Sequence, residues 1–73
     1  MNTLLTGGLT DARGRAWHGL TIEFRTETND NWQTGTVYKQ RGAPTIIKLV
    51  DPADGYVRDI MGWHVTEFVI RRS

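Results

Sequence analysis

The chain has 73 residues, nine Lys or Arg, eight Asp or Glu and no cysteine, with a net charge of +1. That length holds one domain with one small core, and the missing cysteine excludes a disulfide framework and thiolate zinc sites. The near-balanced charge supplies no strong field for nucleic acid or for an acidic membrane surface. No apolar run approaches the roughly 20 residues that span a bilayer, and residues 1–8 lack the basic and apolar regions of a signal peptide. His18 and His64 stand far apart in sequence and in no metal-ligand spacing. The expectation is a cytoplasmic single-domain protein with no metal and no cofactor. Self-association is the remaining route to extra stability, so a homo-oligomer stays open.

In chain order, residues 1–10 are rich in Thr, Gly and Leu and are expected as an arm or a short edge strand ahead of a domain over residues 11–73. Asp11-Ala12-Arg13-Gly14 reads as a turn, with Asp opening and Gly closing it. Leu20, Ile22 and Phe24 then alternate with Thr21, Glu23 and Arg25, the pattern of a half-buried strand. Residues 26–31 form a polar loop, and a second strand is expected over residues 32–40, bulged or bent at Gly35. The turn at residues 41–44 precedes a β-branched third strand at residues 45–50. Residues 51–55 end in Asp54-Gly55, a pair that favours positive φ, before a fourth strand at residues 56–61. Residues 62–67 suit one 3₁₀ turn, and residues 68–71 close with a short fifth strand. No stretch of about 12 residues carries a helical period, so the reading is all-β, and at this length a barrel.

This order, from Leu20 to Ile70, resembles the SH3-like small barrels and Tudor-type domains in particular. Trp32, Gly35 and Val37 match the opening of the second strand. Asp51, Gly55 and Tyr56 match the turn between the third and fourth, and Val65, Phe68 and Ile70 match the close. The resemblance implies a five-stranded SH3-like barrel with a 3₁₀ turn before the last strand, a scaffold that hosts many unrelated activities. The Asp51-to-Gly55 turn is longer than the compact Tudor turn on which an aromatic cage is built. The chain also resembles, more distantly, the plasmid-borne, trimethoprim-resistant type of dihydrofolate reductase, a short SH3-like chain that works as a homotetramer. The active site of that family depends on a Val-Gln-Ile-Tyr segment, which this sequence does not have; Arg58-Asp59-Ile60-Met61 stands near that place.

Candidate functional residues follow from side-chain chemistry. Phe24 and Phe68 are assigned to the core. Trp32, Tyr38, Tyr56 and Trp63 are the candidate contacts for a protein partner, because interface hot spots favour Trp, Tyr and Arg. Trp32 borders the polar loop, and Trp63 follows Gly62 on a turn. Lys39, Arg41, Lys48, Arg58 and Arg71 are the candidate nucleic-acid contacts, with Lys39 and Arg41 at a hairpin tip. Asp59 shares a strand side with Val57 and Met61, an odd neighbour set for a core carboxylate; a bulge or a pairing with Arg58 or Arg71 would account for it. No nucleophile motif, phosphate loop or paired-carboxylate cleft emerges, and His64 in a turn reads as a surface residue. The expected function is therefore a non-enzymatic module that recognises or modulates a protein partner, of the kind phages and mobile elements encode as accessory proteins. The alternatives are a small nucleic-acid-binding barrel and an oligomeric enzyme with its site between subunits.

Overall fold

A computed structural model describes residues 4–50 and 55–70. Six strands form one antiparallel sheet: β1 (Leu4–Thr6), β2 (Thr21–Thr26), β3 (Asn29–Tyr38), β4 (Ile46–Val50), β5 (Val57–Met61) and β6 (Val65–Ile70). A short helix, α1 (Asp11–Trp17), follows β1, and a 3₁₀ turn at Gly62–His64 links β5 to β6. The strand order is β1-β6-β2-β3-β4-β5, so β2 to β5 form a meander and β6 inserts between β1 and β2. No helix among the described residues is long and apolar enough to cross a membrane.

The alternation read from Leu20 onward sets the inner face. Ile22 and Phe24 of β2 are fully buried with Val37 of β3, Ile47 of β4 and Phe68 of β6, and Leu9, Val65 and Ile70 complete the core. Burying each such side chain contributes about 1.5–3 kcal/mol. β2 pairs with β3 through Ile22↔Gly35 and Phe24↔Gln33, and with β6 through Phe24↔Phe68 and Arg25↔Glu67.

Four expectations are corrected. The strands number six, not five, because Leu4–Thr6 pairs with β6 through Leu5↔Phe68. The sheet does not close into a barrel: β1 and β5 are its two edges. Beyond the ladders, the segments that follow β1 and β5 are joined by a bond from Leu9 N to Gly62 O at 2.9 Å. Asp11 to Gly14 is the first half of α1 rather than a turn. Seven residues are too few to display a helical period, and packing supplies what propensity does not. Trp17 meets the Phe68 ring edge-on at 5.4 Å, Arg13 lies over the same ring, and Gly14 is buried beneath Thr45. The bulge is also not at Gly35, which keeps regular register opposite Ile22. A Cβ there would stand 2.5 Å from Ile47 Cγ2, so close strand-to-strand approach is what requires glycine. The irregularity falls between Phe24 and Thr26, where β3 carries extra residues beside Trp32.

The polar loop is shorter than expected, since β3 begins at Asn29 and leaves Glu27 and Thr28 as the turn. β6 starts at Val65 and is longer than the segment expected from residue 68. The 3₁₀ turn falls within the expected residues. Of the turn at residues 51–55, only Gly55 is described, with φ +76°; the rest of it lies outside the described residues.

Candidate functional site

A groove of 520 Å³ lies beside the β5 edge of the sheet. One wall is the β2–β3 hairpin, with Thr26, Thr28, Asn29 and Gln33. The other is β5, with Arg58, Asp59, Ile60 and Met61, and His64 lines the groove as well. His64 and Glu27 clasp hairpin to turn: Glu27 N donates to His64 O at 3.1 Å, and His64 Nδ1 lies 2.8 Å from Glu27 Oε1. Most of the lining residues have polar side chains, and Ile60 and Met61 are the apolar ones.

Asp59 is explained by the sheet rather than by a bulge. The row Val57, Asp59 and Met61 faces outward and is exposed, while Ile60, half-buried, packs against the core. Asp59 stands opposite Lys48 in the β4–β5 ladder.

Of the expected partner contacts, three are exposed: Trp32 at 45%, Tyr56 at 71% and Trp63 at 56%. They do not form one patch. Trp32 lies on the outer flank of the hairpin, its ring 5.1 Å from the Arg25 guanidinium carbon; the next residue, Gln33, lines the groove. Tyr56 precedes β5. Trp63 sits on the 3₁₀ turn beside a second hollow of 470 Å³, with Leu9, Arg15 and Pro44. Tyr38 is not a free surface. Its ring lies between His18 at 5.3 Å and the Lys48 ammonium at 4.3 Å, and Gln40 Nε2 donates to its hydroxyl at 2.7 Å.

The basic candidates are likewise divided. Lys48 is on the outer face over Tyr38, Arg58 lines the groove, and Arg71 lies outside the described residues. Lys39 and Arg41 do share a hollow, of 400 Å³, with Arg15 as its third cation. The Lys39 side chain is 8% exposed and already donates to the carbonyls of Gln40 and Ala43, holding the turn between them. Asp11 Oδ1 lies 3.9 Å from its ammonium. Arg15 was not among the expected contacts, because it follows a segment that reads as a turn and its place on a helix shows no sequence signal. On α1 it links the hollow beside Trp63 to the one beside Arg41.

Among the described residues, no group of three or more His, Cys, Asp or Glu could hold a metal ion. Arg25 pairs with Glu67 across the β2–β6 ladder, and the His64–Glu27 contact lies at the same junction of hairpin and closing segment. Comparison with protein-family models, with curated proteins and with solved structures returns no match.

Proposed function

We propose that this chain is a non-enzymatic binding module that recognises a protein partner through the groove between the β2–β3 hairpin and β5. One observation carries the reading: β5 is an edge of the sheet, and a 520 Å³ groove lies between it and the β2–β3 hairpin. Concave sites with a few polar groups are where small domains take ligands. Trp32 and Tyr56, exposed aromatics of the type that anchors interfaces, are close in sequence to the lining residues Gln33 and Arg58. The meander of β2 to β5, a 3₁₀ turn and a last strand returning to β2 support an SH3-like kinship, with β1 and α1 as additions.

The test is capture from host lysate, with and without nuclease, using the wild-type chain, Trp32→Ala, Tyr56→Ala and Trp63→Ala. Binding that survives nuclease and Trp63→Ala but drops with Trp32→Ala or Tyr56→Ala agrees with the proposal. Capture unchanged by either of these last two variants sinks it.

A second reading, single-stranded nucleic acid, has its own observation. Arg15, Lys39 and Arg41 line one hollow, and Arg15 joins it to the hollow where Trp63 is exposed. Cations that follow a backbone beside an aromatic that stacks a base are the pattern of such sites. Steeply salt-dependent retention of an oligonucleotide, lost in Arg15→Ala with Arg41→Ala, would favour it.

A further inference from the structure

We infer that the free edge of β5 takes an extended peptide strand of the partner by antiparallel addition, and that Asp59 selects a basic residue at the position facing it. This rests on the protein-binding reading above and specifies its mode.

The edge is identified by hydrogen-bond phase. Gly62 N donates to Thr45 O, which continues the β4–β5 register of Ile46↔Met61 by one step. Hydrogen-bonded pairs alternate along an antiparallel ladder. Ile60 and Arg58 therefore turn their backbone groups toward β4, and Val57, Asp59 and Met61 turn theirs away from it. The same phase holds across the sheet, since Val37 N donates to Leu20 O at 3.0 Å. Among the described residues, no hydrogen bond occupies the outward N–H and C=O groups of Val57, Asp59 and Met61. Such a row is a template for another strand.

Natural edges are blunted by shortness, charged side chains, proline, bulges or a covering segment, and the two charges of β5, Arg58 and Asp59, are of opposite sign. β1, at the other edge, is blunted by its length, being three residues. β5 has five residues in regular register and no proline. It borders the groove, and Val57 is 63% exposed and Met61 37% exposed along it. Across the groove, Thr28, Asn29 and Gln33 offer side-chain donors and acceptors to the far side of an incoming strand.

Charge decides between occupants. A two-fold pairing of β5 with a second copy must keep sheet faces matched, so residues of the same parity oppose each other. The register that pairs all of Val57–Met61 places Asp59 against its own copy, and like charges directly opposite destabilise a ladder. A foreign strand has no such restriction. Within the sheet, Asp59 already faces Lys48 on its β4 side, so a basic residue on the free side extends an alternating row of charge.

The test uses the full chain, ¹⁵N-labelled, with two capped pentapeptides, Thr-Val-Lys-Val-Thr and Thr-Val-Glu-Val-Thr. The lysine peptide is expected to shift the amides of Val57, Asp59 and Met61 and to bind about fivefold more tightly than the glutamate peptide, the size of an opposed-charge cross-strand pair. Asp59→Lys should reverse that preference. Asp59→Pro removes an outward donor without touching the β4 ladder; it should abolish the peptide shifts while leaving the remaining spectrum folded.

Equal affinity for the two peptides, shifts confined to other residues, or no shifts at millimolar peptide would overturn the inference. So would wild-type self-association that perturbs these same amides. A lysate partner lost with Trp32→Ala but retained with Asp59→Pro overturns strand addition and leaves protein binding standing. Peptide shifts without any captured protein do the reverse.

Discussion

The Arg25 guanidinium carbon lies 5.1 Å from the centroid of the Trp32 ring, and the same guanidinium pairs with Glu67 across the β2–β6 ladder. A half-exposed indole is thus held in place by a cation that is itself held. Trp32 is presented at a fixed angle rather than left free on the surface, which lowers the ordering cost of using it as a contact.

Glu67→Gln should therefore loosen Trp32 at a distance. The Glu67 side chain is 16% exposed and that of Arg25 37%, so the pair lies between a surface and a buried one. We expect a stability loss of about 1–2 kcal/mol by urea denaturation, smaller at high salt. The tryptophan emission should shift to the red with it. Unchanged emission would separate Arg25's hold on Trp32 from its pairing with Glu67.

Trp32→Ala should act on binding and spare the fold. The indole is 45% exposed and its contact with Arg25 is worth about 0.5–1 kcal/mol. The unfolding midpoint should move little, while partner affinity falls by about tenfold or more if Trp32 is a hot spot. A large stability loss with intact binding would make it a packing residue.

Gly62→Ala should be among the most damaging small changes in the chain. An added Cβ would overlap the Leu9 carbonyl oxygen and stand 3.1 Å from that of Thr45, both backbone atoms that cannot rotate away. Overpacking of this kind costs about 1–3 kcal/mol, and the upper end is expected here. Gly19→Ala gives a contrast: nothing stands within 4 Å, and the cost is confined to φ +85°. Gly19→Asn should recover part of it, because Asn tolerates the left-handed region. Parallel urea titrations of the three variants measure this.

Gly14→Ala should be rescued from the other side. Its added Cβ would overlap the Thr45 side chain, a residue 2% exposed. Thr45→Ala alone opens a small space, and the double variant should be more stable than the sum of the single losses predicts. A coupling energy of about 1 kcal/mol in a double-mutant cycle is expected. Strict additivity would mean that helix and strand shift apart rather than compete for space.

Much of the sheet was legible because its signal is local. Ile22 and Phe24 declare β2 by alternation, and both are buried as that pattern requires. Gly62–His64 was legible as a single turn between two apolar segments. What stayed hidden depends on contacts between distant residues. α1 owes its existence to Phe68 and Thr45, far along the chain. Gly35 announces itself as a break, yet its reason is Ile47 on the neighbouring strand. The unclosed sheet has no sequence signature, since closure is a property of strand tilt and stagger. The exposed aromatics were legible one at a time but not as separate surfaces. The β5 edge was not legible at all, because its chemistry belongs to the backbone.

β6 lies between β1 and β2, the two strands that precede it by the greatest distance in the chain. The meander of β2 to β5 forms from neighbours in sequence, whereas β6 must close the longest loops before Phe68 reaches Phe24. That step spends chain entropy before any core contact repays it. The fold's high share of non-local pairing places it among the slower two-state folders, on the order of milliseconds to seconds. Until β6 docks, the inner face of the meander and the free side of β2 are both open. The crowded interval of this protein's life is then its folding, when two unfinished chains could exchange their last strand.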